Sequence, residues 1–288
     1  MTKKLNFSSV ISGTMTWGEW GKDYSTQEMA SLIDYCVSIG VSTFDHADIY
    51  GDYSNEAAFG AGLKASGIPR ASIELISKCG ISRVCDRRNY KVHHYNYTKE
   101  YIINSVQQSL LNLQTDYLDV LLLHRPSPLM NPYEISEAIH YLKNKGMIRS
   151  FGVSNFTPSQ LSMIDRQISV EINQIEVSLT HYDSLYNGQL DQCIEKKILP
   201  MSWSPLGTGL KKENPLLTLT LERLAKKYGI EVSQVLIAWL VKHPAGILPV
   251  VGTTQKERIK QALDASKIDL ELEDWFDLLE ATRGHKIE

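Results

Sequence analysis

Residues 118–154 read LDVLLLHRPSPLMNPYEISEAIHYLKNKGMIRSFGVS, and this stretch decides the fold. The apolar run Leu118–His124 predicts a buried strand, and Ile148–Ser154 predicts a second one. Between them, Asn131–Pro132 places an N-cap residue before a proline at the first helical position, which is a helix start. A strand, a helix and a strand in this order indicate a βα unit of a parallel sheet.

The same alternation runs along the whole chain, and no Gly/Ser-rich or Pro-rich linker interrupts it. Eight βα units in 288 residues predict an α/β fold of the (β/α)8 TIM-barrel type, a single domain over residues 1–288. Active sites of that fold lie at the C-terminal ends of the strands. The eight predicted strands are Val10–Met15, Thr43–His46, Ile73–Lys78, Leu118–His124, Ile148–Ser154, Ile172–Glu176, Leu199–Trp203 and Leu248–Val251.

Two segments depart from the simple repeat. Residues 79–98 form a long βα connection rich in basic and aromatic residues, and loops of that length are usually functional lids or disordered. Because this one follows the strand that ends at Lys78, a lid is favoured. Two helical patterns, Leu217–Tyr228 and Ser233–His243, stand where one crossover helix would suffice, which predicts an inserted helix. Near the end of the chain, Thr254 with Glu257 forms a capping-box pattern that predicts a helix start.

Composition excludes several classes of function. Thirty basic and 33 acidic residues give a formal net charge of -3, which argues against nucleic-acid binding and against a polybasic membrane-binding segment. The four cysteines form no C-x-x-C pair, the first residues lack the apolar core of a signal peptide, and no run of about 18 apolar residues occurs. We therefore expect a cytoplasmic protein. The sequence does not specify the oligomeric state, and a monomer is compatible with it.

Four polar residues, Asp45, Tyr50, Lys78 and His124, lie at or just beyond the C-terminal ends of predicted strands. A phenol has an ordinary pKa of about 10, so a tyrosine that exchanges protons near neutral pH needs a cation beside it. Lys78 can be that cation, and Asp45 can keep it charged. His124 can donate a hydrogen bond to a substrate oxygen. A structural ion pair and an ordinary barrel histidine are the alternative readings of these residues.

The segments Phe44–Glu56 (FDHADIYGDYSNE), Lys78, Leu121–Pro126 (LLLHRP) and Gly152–Phe156 (GVSNF) resemble the aldo-keto reductase superfamily. The resemblance covers nearly the whole chain and implies a (β/α)8 barrel that uses NADPH or NADP+. It implies that the four polar residues are a catalytic tetrad for reduction of an aldehyde or ketone, a small-molecule carbonyl substrate. Tyr50 would be the proton donor, with its pKa lowered by Lys78.

The resemblance also implies a set of cofactor-binding residues. Ser154, Asn155 and Gln174 would hydrogen-bond the nicotinamide carboxamide, and Trp203 would stack on the nicotinamide ring. The loop 204–207 would follow the pyrophosphate. Arg258, on the helix expected to begin at Thr254, suits the 2′-phosphate and so favours NADPH over NADH. At Gln261 many relatives carry an acidic residue instead. The complete set is Thr14, Met15, Ser154, Asn155, Gln174, Trp203, Ser204, Pro205, Leu206, Gly207, Gly252, Thr253, Thr254, Arg258 and Gln261.

Trp17 and Trp20 follow the first strand and are candidates for the wall of a substrate pocket, although they could equally seal the barrel rim.

A metal-dependent hydrolase is a weaker reading of His46 and Asp48, because no H-x-H or H-E-x-x-H spacing supplies convergent ligands. We expect no metal. The alternative from another class is a cofactor-binding regulatory subunit resembling potassium-channel β subunits, which an intact tetrad disfavours.

Overall fold

The protein is a closed barrel of eight parallel strands, described over residues 6–287 by a computed structural model. Around the barrel the strands follow one another in the order β1, β2, β3, β6, β7, β8, β9 and β10, and β10 pairs with β1 to close the ring. Their bounds are β1 Ile11–Gly13, β2 Thr43–Asp45, β3 Glu74–Cys79, β6 Leu118–Leu123, β7 Ile148–Ser154, β8 Ile172–Glu176, β9 Leu199–Trp203 and β10 Leu248–Val251. Strands β4 Ile81–Ser82 and β5 His94–Tyr95 form a separate antiparallel pair.

All eight predicted barrel strands are present, and the last four have the predicted bounds. The largest difference is in β1, which ends at Gly13 although the run Val10–Met15 was expected to be a strand. The chain turns there, because the Thr14 carbonyl accepts hydrogen bonds from the Trp17 amide at 3.0 Å and from Asn55 Nδ2 at 2.9 Å. The Thr14 carbonyl oxygen is therefore bonded within the turn and does not extend the hydrogen-bond ladder of the strand.

Ten α-helices surround the barrel in residues 6–287, and most begin where a capping residue precedes them. Before α4, the Asn131 side chain accepts a hydrogen bond from the Tyr133 amide, with Pro132 at the first helical position. The helix bounds are α1 Thr26–Ser38, α2 Asn55–Ser66, α3 Lys99–Leu113, α4 Pro132–Asn144, α5 Pro158–Asp165, α6 Gln189–Lys196, α7 Pro215–Tyr228, α8 Val232–Val241, α9 Lys256–Ala265 and α10 Leu272–Arg283.

The predicted start of α9 at Thr254 is wrong. The helix begins at Lys256 after the N-cap Gln255, whose side chain makes no capping bond. Thr253 supplies the local bond instead, since its Oγ1 accepts from the Gln255 amide at 3.2 Å. Thr254 therefore lies in the loop before the helix.

Apolar side chains fill the barrel interior and the layer between barrel and helices. Ile76, Val120, Leu122 and Met201 belong to the interior cluster and are at most 1% exposed. Burying each such side chain is worth roughly 1.5–3 kcal/mol relative to leaving it in water. Side chains two residues apart on a strand share a face, so Lys78 extends into the same interior as Ile76, one layer nearer the C-terminal end.

The two departures from the repeat are both present in the structure. Residues 79–98 contain the short pair β4–β5 in place of an unbroken loop, and α7 and α8 both lie between β9 and β10 as predicted. That the segment 79–98 acts as a lid stays a prediction. Among residues 6–287, no helix has both the length and the apolar composition needed to cross a membrane.

Candidate active site

The centre of the site is a buried ion pair between neighbouring strands. Asp45 ends β2 and Lys78 is the penultimate residue of β3, and the two residues are 3% and 1% exposed. Lys78 Nζ lies 2.8 and 2.7 Å from the two carboxylate oxygens of Asp45, and it also donates to the His46 carbonyl at 2.8 Å. This places a fixed positive charge at the C-terminal mouth of the barrel.

Tyr50 and His124 border this charge. Lys78 Nζ lies 3.3 Å from the Tyr50 hydroxyl oxygen, and the Tyr50 and His124 rings are 6.1 Å apart between centroids at a steep angle. Both side chains line the large pocket at the barrel mouth. The four residues singled out in the sequence are therefore close together, and a substrate oxygen can meet the phenol and the imidazole at once.

The surroundings of the three ionisable groups determine their protonation near neutral pH. Burial raises the pKa of Tyr50, and Lys78 opposes that shift without cancelling it, so the phenol keeps its proton. Burial favours the neutral form of Lys78, but Asp45 and Tyr50 outweigh it and raise the pKa of the ammonium group. Burial, Lys78 and Arg125 hold the pKa of His124 well below its ordinary value, so the imidazole is neutral.

The net shift of Tyr50 differs from the sequence-based expectation. We expected Lys78 to lower the pKa of the phenol, and its charge does act in that direction. Burial is the larger effect, because removing the hydroxyl from bulk water disfavours the charged phenolate. The structure therefore holds a protonated phenol beside a cation, which is the pair needed to release a proton and stabilise the anion left behind.

A chain of polar side chains continues from Asp45 across the barrel mouth. Gln174 Nε2 donates to Asp45 Oδ1 at 2.9 Å, and Ser154 Oγ donates to the Gln174 carbonyl at 2.8 Å. Asn155 Nδ2 donates to Ser154 Oγ at 2.9 Å, and Trp203 Nε1 donates to Asn155 Oδ1 at 2.9 Å. Four of the predicted nicotinamide-binding residues are thus fixed to one another and to the ion pair.

A pocket of about 1060 Å³ extends from the tetrad to α9. Most of the predicted cofactor-binding residues line it, although Thr14 and Thr254 do not. Thr14 is fully buried behind the wall, where its hydroxyl bonds to the Asp45 carbonyl at 3.0 Å. The predicted residues that line the pocket are Met15, Ser154, Asn155, Gln174, Trp203, Ser204, Pro205, Leu206, Gly207, Gly252, Thr253, Arg258 and Gln261.

The two tryptophans after β1 have different positions. Trp20 lines the pocket with its ring centroid 6.2 Å from that of Tyr50, as expected for a substrate wall. The same prediction for Trp17 is wrong, because Trp17 is fully buried and packs against Phe44 and Phe59. Its ring belongs to the core between barrel and helices.

The sequence analysis missed several residues of the pocket wall. Arg125 directly follows His124 at the end of β6, and that position alone was a usable signal. Arg83 lies in the 79–98 segment, and Glu231, Val232 and Ser233 lie at the start of α8, where no sequence pattern indicated the pocket.

In residues 6–287, no group of three or more His, Cys, Asp and Glu side chains is arranged to hold a metal ion, so the geometry gives the hydrolase reading no support.

The fold and the site together are those of a barrel oxidoreductase. The model of the Aldo/keto reductase family matches residues 9–282, and the chain belongs to this family. Its oxidoreductase class is the one that the sequence predicted.

Three relatives illustrate this similarity. The chain is 42% identical to the uncharacterized oxidoreductase YcsN of Bacillus subtilis, covering 100% of this chain and 98% of the relative. It is 38% identical to a 6-dehydroglucose reductase of Agrobacterium fabrum, with the same coverage of both chains. An aldo/keto reductase from Klebsiella pneumoniae, solved with NADP and acetate, is 26% identical with a TM-score of 0.79, covering 94% of this chain and 90% of that one.

Proposed function

We propose that the protein is an NADPH-dependent reductase that converts an aldehyde or ketone into an alcohol, with Tyr50 as the proton donor. The observation that carries this proposal is the 3.3 Å approach of the charged Lys78 ammonium group to a protonated phenol that opens onto the pocket. The Agrobacterium relative is a 6-dehydroglucose reductase, which supports reduction as the physiological direction.

The residues of the pocket fit NADPH. Trp203 offers a ring face beside the tetrad, and its N–H is already bound to Asn155, so the indole is held in a fixed position. At the far end, Arg258 lines the pocket and forms no ion pair with any carboxylate of residues 6–287. A free guanidinium is suited to a phosphate group. The NADP bound in the Klebsiella structure supports the same cofactor here.

Each residue of the tetrad has a separate task in this mechanism. When bound, the nicotinamide supplies the hydride. Tyr50 donates its proton to the carbonyl oxygen as negative charge develops there, and Lys78 stabilises the phenolate that remains. Asp45 keeps Lys78 charged and in place. His124, neutral at physiological pH, donates a hydrogen bond that orients the carbonyl oxygen toward Tyr50.

Substitution of Tyr50 by Phe tests the proposal. Losing a general acid costs about 10² to 10⁴ in rate, so Tyr50→Phe should reduce turnover by that factor and leave the affinity for NADPH nearly unchanged. Tyr24→Phe is the matched control, since Tyr24 packs against the core away from the pocket, and it should keep wild-type turnover. Retention of more than about a tenth of wild-type turnover in Tyr50→Phe, with chemistry rate-limiting, would show that another group is the acid.

The same assay separates the enzyme from the regulatory-subunit alternative. A regulatory subunit should bind NADPH, measured by quenching of tryptophan fluorescence, and yet reduce simple aldehydes at negligible rates. Loss of nicotinamide absorbance with butanal by the purified wild-type protein would reject that alternative.

A further inference from the structure

The cations that line the pocket differ in how they are neutralised. Arg83, Arg125 and Arg258 all line it. Arg83 Nε lies 2.7 Å from Asp52 Oδ1, so its charge already has a partner. Among residues 6–287, no carboxylate forms an ion pair with Arg125, which leaves it as the unneutralised arginine at the end of the pocket that holds Tyr50.

The backbone of Arg125 is fixed while its guanidinium is free. The Tyr97 hydroxyl donates to the Arg125 carbonyl at 2.5 Å and accepts from the Arg125 amide at 3.2 Å. The exposed guanidinium lies 5.9 Å from the centroid of the Trp203 ring. Tyr97 itself is only 5% exposed, so the anchor is built into the core.

Arg125 lies beside the reaction centre in the pocket wall, since it directly follows His124 in the chain. Burial is the main cause of the pKa shifts of Tyr50 and His124, and in both cases Arg125 is a further contributor, acting to lower the pKa. The guanidinium carbon is 5.9 Å from the centroid of the Trp203 ring, and both side chains line the pocket that Tyr50 and His124 also line. It can therefore reach a second group on the same small substrate.

The acidic residues of the pocket do not compensate this charge. Asp45 is already bound by Lys78 and Gln174. The remaining lining carboxylates, Glu231 and Glu257, lie at the starts of α8 and α9, on the side of Arg258. The substrate end of the pocket therefore carries one positive charge that nothing within residues 6–287 cancels.

We propose that Arg125 forms an anion subsite, so that the preferred substrates are aldehydes or ketones that carry a carboxylate or phosphate group. The guanidinium fork donates two parallel hydrogen bonds to either oxyanion. This inference rests on the proposed reductase function and specifies its substrate class. The overall reaction remains balanced, since NADPH supplies the hydride, Tyr50 supplies the proton, and the alcohol and NADP+ are released.

Matched pairs of substrates test the subsite with NADPH saturating. The carboxylate pair is 4-oxobutanoate and butanal, and the phosphate pair is glyceraldehyde 3-phosphate and glyceraldehyde. A charge-assisted hydrogen bond corresponds to about a ten- to hundredfold preference, so kcat/KM should favour the charged member of at least one pair by that factor. The pair with the larger preference identifies which oxyanion the subsite accepts.

Three variants assign the preference to Arg125. Arg125→Met should remove the preference for the charged member while changing kcat/KM for butanal by less than about threefold, and Arg125→Lys should retain part of it. Arg87→Met is the matched control, because Arg87 loses the same charge but is paired with Glu19 and does not line the pocket. It should keep the wild-type preference.

Two outcomes would overturn the subsite. One is a wild-type enzyme that reduces butanal and glyceraldehyde as well as their charged partners. The other is an Arg125→Met variant that slows both members of a pair equally, because the effect of the guanidinium would then not depend on the anionic group of the substrate.

Failure of the proposed function gives a different result, in which the wild type reduces neither member of either pair. The subsite is then tested by calorimetric binding of 4-hydroxybutanoate and 1-butanol to the NADP+ complex. Tighter binding of 4-hydroxybutanoate that disappears in Arg125→Met supports the subsite, and equal binding of the two alcohols rejects it.

Discussion

Replacing Lys78 with Met should destabilise the fold by an amount that depends on Asp45. The substitution removes the ammonium group that contacts both Asp45 oxygens, at 2.8 and 2.7 Å, and leaves a buried carboxylate with Gln174 Nε2 as its remaining side-chain donor. Removing one partner of a buried ion pair lowers the stability of the fold by about 3–5 kcal/mol. Because Gln174 still contributes one bond, we expect the lower part of that range, about 3–4 kcal/mol.

The double variant Asp45→Asn/Lys78→Met should be more stable than Lys78→Met alone, because no buried charge is left without a partner. Its loss of stability should be smaller than the sum of the two single losses by about 2 kcal/mol, a coupling typical of residues in direct contact. Equilibrium unfolding in urea measures these differences, provided that the slope of the free energy of unfolding against urea concentration is the same for all variants.

Lys143→Met is the control for loss of a lysine in a partly exposed ion pair. Its partner Glu171 is 41% exposed, so the change should cost no more than about 1 kcal/mol. The reasoning would be refuted if Lys78→Met cost as little as that control, or if the two single losses added up to the double loss. Either result would mean that the barrel mouth contains enough water to solvate Asp45.

Two further predictions concern the cofactor and a buried acid. Arg258→Ala should weaken NADPH binding about ten- to a hundredfold more than NADH binding. The control Lys260→Ala, on the same helix but outside the pocket, should weaken neither cofactor. Equal weakening of both cofactors by Arg258→Ala would mean that Arg258 binds a group that NADPH and NADH share. Burial and then Glu56 raise the pKa of Asp48 well above its ordinary value, so its contribution to stability is complete below about pH 4 and is lost as the pH rises through the raised pKa. Asp48→Asn should therefore gain stability relative to wild type as the pH rises. A difference in the free energy of unfolding between Asp48→Asn and wild type that stays constant from about pH 5 to 8 would contradict this.

The barrel was predictable because each strand carries its own signal. The four strands from β7 to β10 are continuous apolar or alternating runs bounded by turn residues, and their bounds agree with the sequence analysis. The start of α9 was not predictable in the same way, because the Thr254 and Glu257 pattern competes with a local bond from the Gln255 amide to Thr253. The two alternative helix starts differ in free energy by only about a few tenths of a kcal/mol, so the sequence pattern does not distinguish them.

The site was only partly predictable for a related reason. Strand ends converge on one face of a barrel, so Asp45, Lys78 and His124 could be grouped from strand positions alone. Trp17 and Trp20 are three residues apart in a loop, where nothing periodic tells which ring turns to the core and which to the pocket. The net pKa of Tyr50 depends on burial by the folded chain, and burial of a loop residue is not encoded in its neighbours.

The closure of the ring between β1 and β10 has a consequence for synthesis of the chain. Ile11 pairs with Val250, so the contact that completes the barrel joins the first strand to one made near the end of translation. Until Val250 and Val251 emerge, β1 and β9 each present a row of unpaired N–H and C=O groups to the surrounding solution. Such edges pair readily with other incomplete chains. The interval between synthesis of β9 and β10 is therefore when the nascent protein most needs protection, and a translational pause there should lower the yield of native protein more than one after β10.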